Sequence, residues 1–122
     1  MPRTILDEAR IHPAVRAKIA AHHADIVREV ESAAAANAIV VVGMKQNPMP
    51  RKERKALDAK GIPYRYLEYG SYLNTWRRRN ALKMWTGWPT FPMIFVKGVL
   101  IGGATDLYHL IDNGELARML TG

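Results

Sequence analysis

Two stretches decide the fold of this chain: WPTFPMIFV at residues 88–96 and GVLIGG at residues 98–103. Within them, residues 93–96 and 99–101 are short apolar runs with only a lysine and a glycine between them. Two such runs around a two-residue turn are typical of a β-hairpin. We therefore predict an antiparallel pair of strands near the C-terminal end of the chain.

Upstream of this hairpin, helical and strand-like segments alternate. Residues 38–43 form a continuous apolar run with four β-branched side chains, which indicates a strand buried on both faces. Residues 51–60 are predicted as a basic helix, and residues 64–69 as an aromatic-rich second strand. A further helical pattern covers residues 74–85. The first two strands are expected to be parallel, because a helix connects them.

Helical patterns also flank the strands at both ends of the chain. Apolar residues at helical spacing over residues 13–36 predict one helix or a pair of short ones. Past the hairpin we predict a helical stretch to Leu120, with Thr105 or Asp106 as N-cap. The order of elements favours a three-layer α/β domain spanning residues 1–122. It would comprise a helical extension at residues 1–37 and a core at residues 38–120.

The composition constrains function mainly through cysteine, of which the chain has none. It therefore supplies no disulfide, no attacking thiolate and no cysteine ligand for zinc or an iron–sulfur cluster. The formal net charge is +7, which favours anionic partners such as nucleic acid, acidic lipid, acidic protein or a small carboxylate ligand. Charge alone does not choose among these partners.

The N-terminal sequence mixes charges of both signs and lacks the apolar region of a secretory signal. No apolar run approaches the roughly 20 residues that a membrane-spanning helix needs. We therefore expect no membrane partner and a cytoplasmic location.

The segments at 88–96 and 98–103 are very similar to the WPTxP and G-x-LIGG motifs of monothiol glutaredoxins. Residues 102–107 resemble the GG-x-x-D-L segment found across glutaredoxins, and Met44-Lys45 resembles the lysine turn before their active site. The resemblance extends over about residues 38–120. It implies a thioredoxin-like three-layer fold with a mixed four-stranded sheet flanked by helices, here with an extra N-terminal helical segment.

The active-site motif is where the chain departs from this family. Asn47-Pro48-Met49-Pro50 stands where the family carries CPYC or CGFS. Asn47 occupies the position of the nucleophilic cysteine, and Pro50 occupies the second position, which is sometimes cysteine. Because disulfide exchange requires an attacking thiolate, we assign no catalytic residue and expect no ordinary glutaredoxin activity. Whether the chain is an enzyme stays open, because the family consists of glutathione-dependent thiol-disulfide oxidoreductases but this chain has no cysteine.

The resemblance implies a glutathione site that the chain could retain. Phe91 and Pro92 match the position where the family uses a cis-proline, and Phe91 would pair through its main chain with the cysteinyl part of glutathione. Ala104 and Thr105 match the backbone N–H groups that hold the γ-glutamyl carboxylate, and Asp106 would meet the amino group. The alternative is an ordinary capped helix without a ligand.

Two cations, Lys45 and Arg79, stand at the positions where the family has side chains that bind the glycine carboxylate of glutathione. Arginine suits a carboxylate because its planar guanidinium donates two parallel hydrogen bonds. Arg79 also ends a run of three arginines at residues 77–79, so a solvated helix face is the alternative. Four further cations are expected to be mainly solvated surface: Arg51, Lys52, Arg54 and Lys55.

Three functions follow from these observations. The first is binding of glutathione, or of a thiol-containing peptide, without dithiol/disulfide exchange and with no metal held by protein ligands. The second is a monothiol-glutaredoxin-type role in redox homeostasis or iron–sulfur cluster handling, with a protein partner supplying the missing cysteines. The third is a basic interaction module for nucleic acid or acidic protein. Nucleic acid is the less favoured partner, because the glutaredoxin resemblance already explains Trp85 and Trp88 structurally.

Overall fold

The structure is a computed structural model that describes residues 3–43, 50–69 and 72–121, with backbone alone for residues 72–78. In these segments, four strands and six α-helices follow the predicted order. They are α1 (Pro13–Ala21), α2 (Ala24–Ala36), β1 (Ile39–Gly43), α3 (Arg51–Ala59), β2 (Arg65–Glu68), α4 (Tyr72–Thr86), β3 (Met93–Val96), β4 (Val99–Gly102), α5 (Ala104–Asp112) and α6 (Glu115–Thr121). None of the described helices has the length and apolar character needed to cross a membrane.

The strands form one mixed sheet in the order β2-β1-β3-β4. β1 pairs in parallel with β2 and antiparallel with β3, and β3 pairs antiparallel with β4. At the turn of the hairpin, Lys97 and Gly98 have φ of 52° and 78°. Positive φ at both turn residues matches the twist of the flanking strands. The predicted hairpin, parallel pair and mixed sheet are confirmed.

β1 lies at the centre of the molecule, and all five of its residues are buried. Its side chains alternate between the two faces of the sheet, as strand geometry requires. Val40 and Val42 face a core formed with α2 and α4, whereas Ile39 and Val41 face a core formed with α3, α5 and α6. This arrangement gives the three predicted layers.

The N-terminal helices have different roles. α2 belongs to the core, because Ile26 and Val30 are fully buried against the sheet. α1 has no buried residue. The two helices meet at His23, whose φ of 44° is left-handed and interrupts the helix. The later part of the predicted extension at residues 1–37 is therefore built into the core.

The predicted N-cap of the last helix is wrong. The cap of α5 is Gly103, not Thr105 or Asp106. The backbone N–H of Gly103 donates to Oδ2 of Asp106 at 2.9 Å, so the carboxylate reaches back to the cap from inside the first turn. The helical stretch is also divided, because Gly114 with φ of 79° separates α5 from α6.

Candidate ligand-binding site

The candidate site lies where the segment leading into β3 meets the start of α5. The Phe91–Pro92 peptide bond is cis, as expected, and both residues are buried. β3 begins directly after Pro92, and its pairing with β1 ends at Met93 opposite Val42. The main chain of Phe91 therefore lies just beyond the paired part of the sheet.

A cavity of about 270 Å³ separates these two segments. It is lined by Trp88, Thr90, Phe91, Pro92, Gly103, Ala104, Thr105 and Asp106. Five of the seven predicted glutathione-binding residues thus share one cavity, although they come from two separate segments of the chain. Its volume lies just below the usual range for small-molecule pockets, roughly 300–1,000 Å³. A space of this size fits the head of a γ-glutamyl peptide, with the rest of the peptide outside it.

The start of α5 places free backbone N–H groups in one wall of this cavity. The first intrahelical hydrogen bond at this end runs from the Leu107 N–H to the Gly103 carbonyl oxygen at 3.0 Å. The N–H groups of Ala104 and Thr105 precede it, and N–H groups in the first turn of a helix have no intrahelical acceptor. Such groups and the helix dipole attract anions. Thr105 is exposed, so its hydroxyl is open to a ligand.

Gly102 allows this wall to form. Its φ of 110° is in the region that favours glycine, and a Cβ there would lie 2.4 Å from Oδ2 of Asp106. A Cβ at Gly103 would meet its nearest atom, the Pro92 carbonyl oxygen, at 3.5 Å, an ordinary contact. The first glycine therefore makes room for the Asp106 carboxylate, whereas a side-chain carbon at the second would be accommodated.

Arg79, one of the two predicted cations, is not brought into this cavity. Arg79 is 3% exposed and donates from Nη1 to the backbone carbonyl of Tyr69 at 3.3 Å. Arg79 does not line the cavity. The alternative prediction, that Arg79 lies on a solvated helix face, is wrong because the side chain is buried. Its role toward the glycine carboxylate stays a prediction.

The predictions for Lys45 and Asn47 lie outside the described residues. Pro50, at the family's second cysteine position, is exposed and caps α3. The cations predicted to be solvated surface on α3 are all exposed. One of them, Lys52, also places Nζ 4.1 Å from the centre of the Tyr108 ring.

The sequence did not single out Thr90, at the site, or Glu53, a buried acidic residue of α3. Thr90 lines the cavity. The one sequence feature that could have indicated a role for it at the site is its position in the WPTFP motif. Glu53 lies in the first turn of α3, and although charged it is 7% exposed, with no hydrogen-bond partner for Oε2 among the described residues. Its spacing of four from the buried Leu57 could have predicted that it faces inward. In the described part of the chain, no group of three or more potential metal-ligating side chains comes together.

Sequence comparisons identify relatives of this chain. A family model described as Glutaredoxin matches residues 39–101. The chain is 45% identical over 95 residues to a glutaredoxin-like protein of Dictyostelium discoideum, covering 78% of this chain and 77% of that protein. It is 41% identical over 64 residues to the bifunctional monothiol glutaredoxin-S16, chloroplastic, of Arabidopsis thaliana, covering 52% of this chain and 22% of that protein.

Solved structures agree with these matches. Oxidized glutaredoxin 2 from Chlamydomonas reinhardtii superimposes with a TM-score of 0.68 at 26% identity, covering 81% of this chain and 94% of that one. A buckwheat glutaredoxin–glutathione complex gives a TM-score of 0.68 at 25% identity, covering 83% and 92%. The fold is therefore the thioredoxin-like α/β fold of these structures. The chain belongs to the glutaredoxin family.

Proposed function

We propose that this chain is a glutaredoxin-family binding protein that holds glutathione, or a thiol-containing peptide in extended form, without exchanging disulfides. The observation that carries the proposal is the cavity between Phe91-Pro92 and the start of α5 in a chain with no cysteine. A neighbouring structure in the family is a glutathione complex, which supports glutathione as the ligand. The cytoplasmic location is part of the same proposal.

The ligand would be held by main-chain groups on one side and by the helix start on the other. An extended peptide would pair with the main chain of Phe91, beyond the end of the β1–β3 ladder, as an added strand does. Its γ-glutamyl carboxylate would accept hydrogen bonds from the N–H groups of Ala104 and Thr105 and from the Thr105 hydroxyl. The Asp106 carboxylate would attract the ammonium group while still accepting from Gly103.

No step in this proposal breaks or forms an S–S bond. Disulfide exchange begins when a thiolate attacks a disulfide sulfur and forms a mixed disulfide. This chain has no sulfur nucleophile, because methionine carries a thioether. The ligand's own thiol would therefore be presented, unchanged, to solvent or to a partner protein.

Calorimetry with reduced glutathione tests the binding. We expect a dissociation constant of about 1 mM or tighter, which corresponds to at least ~4 kcal/mol of binding free energy. Thr105→Ala should weaken binding, because it removes a hydroxyl that faces the carboxylate, whereas Thr121→Ala on α6 is the matched control with no expected effect. No heat at glutathione concentrations well above 1 mM would reject the retained site.

Two further assays separate this function from the alternatives. The protein should be inactive in a glutathione-coupled disulfide assay, and turnover matching an authentic glutaredoxin would contradict the proposal. Glutathione affinity should depend weakly on salt. Binding of a DNA or RNA oligonucleotide that fell steeply with salt, without glutathione binding, would favour the basic interaction module instead.

A further inference from the structure

Large apolar side chains are exposed on the surface of the N-terminal region and of the end of α4. Six of the eight exposed large hydrophobic residues in the described segments come from the N-terminal region or the end of α4. They are Ile5, Leu6, Val15, Ile19, Met84 and Trp85. Exposed apolar side chains scattered singly need no explanation, but Ile19, Met84 and Trp85 line one groove, and such a cluster marks an interaction site.

Part of this surface is a groove between α1, α2 and α4. It has a volume of about 260 Å³, and its apolar lining includes Ile19 of α1, Val27 of α2, and Met84 and Trp85 of α4. A neighbouring depression of about 250 Å³ shares Ile19 and Met84 with it, so the two are continuous. The groove shares no lining residue with the candidate glutathione site.

The N-terminal segment is attached at the same place. Arg3 donates from Nη1 to the carbonyl oxygen of Thr86 at 3.0 Å, at the end of α4. α1 buries no residue of its own, and it presents Val15 and Ile19, four positions apart, outside the core. The residues matched by the family begin at 39, so α1 and α2 lie outside that match.

The charged residues that line the groove and the neighbouring depression are cationic. Arg28 lines the groove itself, and Lys18 lines the neighbouring depression. Among the described residues, no acidic side chain lines either one. Glu31 lies one turn further along α2, and Asp25 on the same helix has its own interaction. A second copy of this chain would bring like charges together, whereas an acidic partner would be complementary.

The shape of the groove decides between an acidic protein and an anionic membrane. Its volume is below the range of small-molecule pockets, roughly 300–1,000 Å³, and suits one or two apolar side chains. A membrane surface is flat and receives apolar side chains that protrude, so a concave groove fits it poorly. An amphipathic helix, in contrast, inserts apolar anchors at i and i+3 or i+4 into such grooves.

We propose that the groove formed by α1, α2 and α4 is a docking site for an acidic amphipathic helix of a partner protein. Its apolar anchors pack against Ile19, Met84 and Trp85, and its carboxylates approach Lys18 and Arg28. Docking there leaves the candidate glutathione site open, so the two sites can be occupied together. The proposal does not depend on glutathione binding.

The test uses two labelled synthetic helical peptides with leucine at i, i+4 and i+7. One peptide carries glutamate and the other carries lysine at the flanking positions. Fluorescence anisotropy with the full chain should show binding of the glutamate peptide and at least about tenfold weaker binding of the lysine peptide. Equal binding of the two peptides, or binding of neither, would overturn the proposal.

Two pairs of variants locate the peptide. Met84→Asp should weaken binding of the glutamate peptide at least about tenfold, because it places a carboxylate in the apolar groove. Val99→Asp on β4 is the control, since Met84 and Val99 are 54% and 56% exposed. Arg28→Glu should also weaken binding, whereas Lys60→Glu at the end of α3 should not. Equal effects within a pair would contradict the proposed location.

Two other occupants are tested with the same proteins. Sedimentation of the wild-type chain should show a monomer, and a dimer that Met84→Asp dissociates would assign the groove to a second copy instead. Anionic vesicles should bind wild type and Met84→Asp alike, through net charge alone. Vesicle binding lost selectively in Met84→Asp would assign the groove to a membrane and overturn the proposal.

Discussion

At the scale of single residues, the start of α5 depends on the relation between Gly102 and Asp106. The Asp106 carboxylate accepts from the Gly103 N–H and thereby satisfies one of the donors left at the end of the helix. The space for that carboxylate exists only because Gly102 has no Cβ. The candidate site and the cap of the helix therefore share the same residues.

A pair of glycine variants tests this relation. Gly102→Ala should lower the free energy of unfolding by about 1–3 kcal/mol, because alanine is strained at φ of 110° and its Cβ would meet the carboxylate. Gly103→Ala should cost less than about 1 kcal/mol, because that backbone is extended and the added carbon makes an ordinary contact. Denaturant unfolding measures both, and equal losses would contradict the account.

Tyr66 is a second residue whose surroundings have a measurable consequence. Burial raises its pKa to about 12, and the negative charge of Glu68 and a hydrogen bond to that carboxylate add to the rise. The hydroxyl donates to Oε1 of Glu68 at 3.2 Å. Arg54 acts weakly in the opposite direction. The neutral phenol is therefore favoured in the folded protein.

This rise predicts a loss of stability at high pH. The pKa of unfolded tyrosine is about 10, so the contribution of Tyr66 is complete below about pH 10. It is lost as pH rises toward the folded value of about 12. The difference between the ultraviolet titration curves of the wild type and of Tyr66→Phe isolates the ionisation of the Tyr66 phenol. A Tyr66 that ionised near pH 10 in the folded protein would contradict the prediction.

At the scale of elements, the sequence predicted strands better than the ends of helices. The β1 run and the Lys97-Gly98 turn carry local signals, namely continuous β-branched residues and a two-residue turn between apolar runs. The break between α1 and α2 depends on the backbone of His23, which apolar spacing does not encode. The N-cap of α5 was misassigned because Thr105 is a better cap than glycine by type alone. The structure instead uses Asp106 from inside the helix.

α1 and α2 should differ in their contribution to stability, because only α2 has buried residues. Ile26 of α2 is fully buried, whereas Ile19 of α1 is 43% exposed. Ile26→Ala should cost about 2–5 kcal/mol through lost burial and the resulting cavity. Ile19→Ala should change the free energy of unfolding by about 0.5 kcal/mol or less. Comparable losses in thermal or denaturant unfolding would show that α1 is part of the core.

At the scale of the whole molecule, the fold and most of the candidate site could be predicted from motifs. Five of the predicted residues come from two segments whose nearest members are 12 positions apart in the sequence, and the fold brings the segments to one cavity. These residues are Phe91, Pro92, Ala104, Thr105 and Asp106. The burial of Arg79 could not be predicted, because it depends on a contact with Tyr69 that no local pattern specifies. The apolar groove was missed for the same reason, since three helices build it.

The central claim is that the family's ligand site persists in a chain that has no thiol of its own. The most direct measurement is a titration of isotope-labelled protein with glutathione, followed through the backbone N–H resonances. The account predicts saturable shifts concentrated at Phe91, Ala104, Thr105 and Asp106, with the α1 and α2 resonances unmoved. Shifts absent from these four residues at saturating glutathione, or spread evenly over the cationic surface, would contradict it.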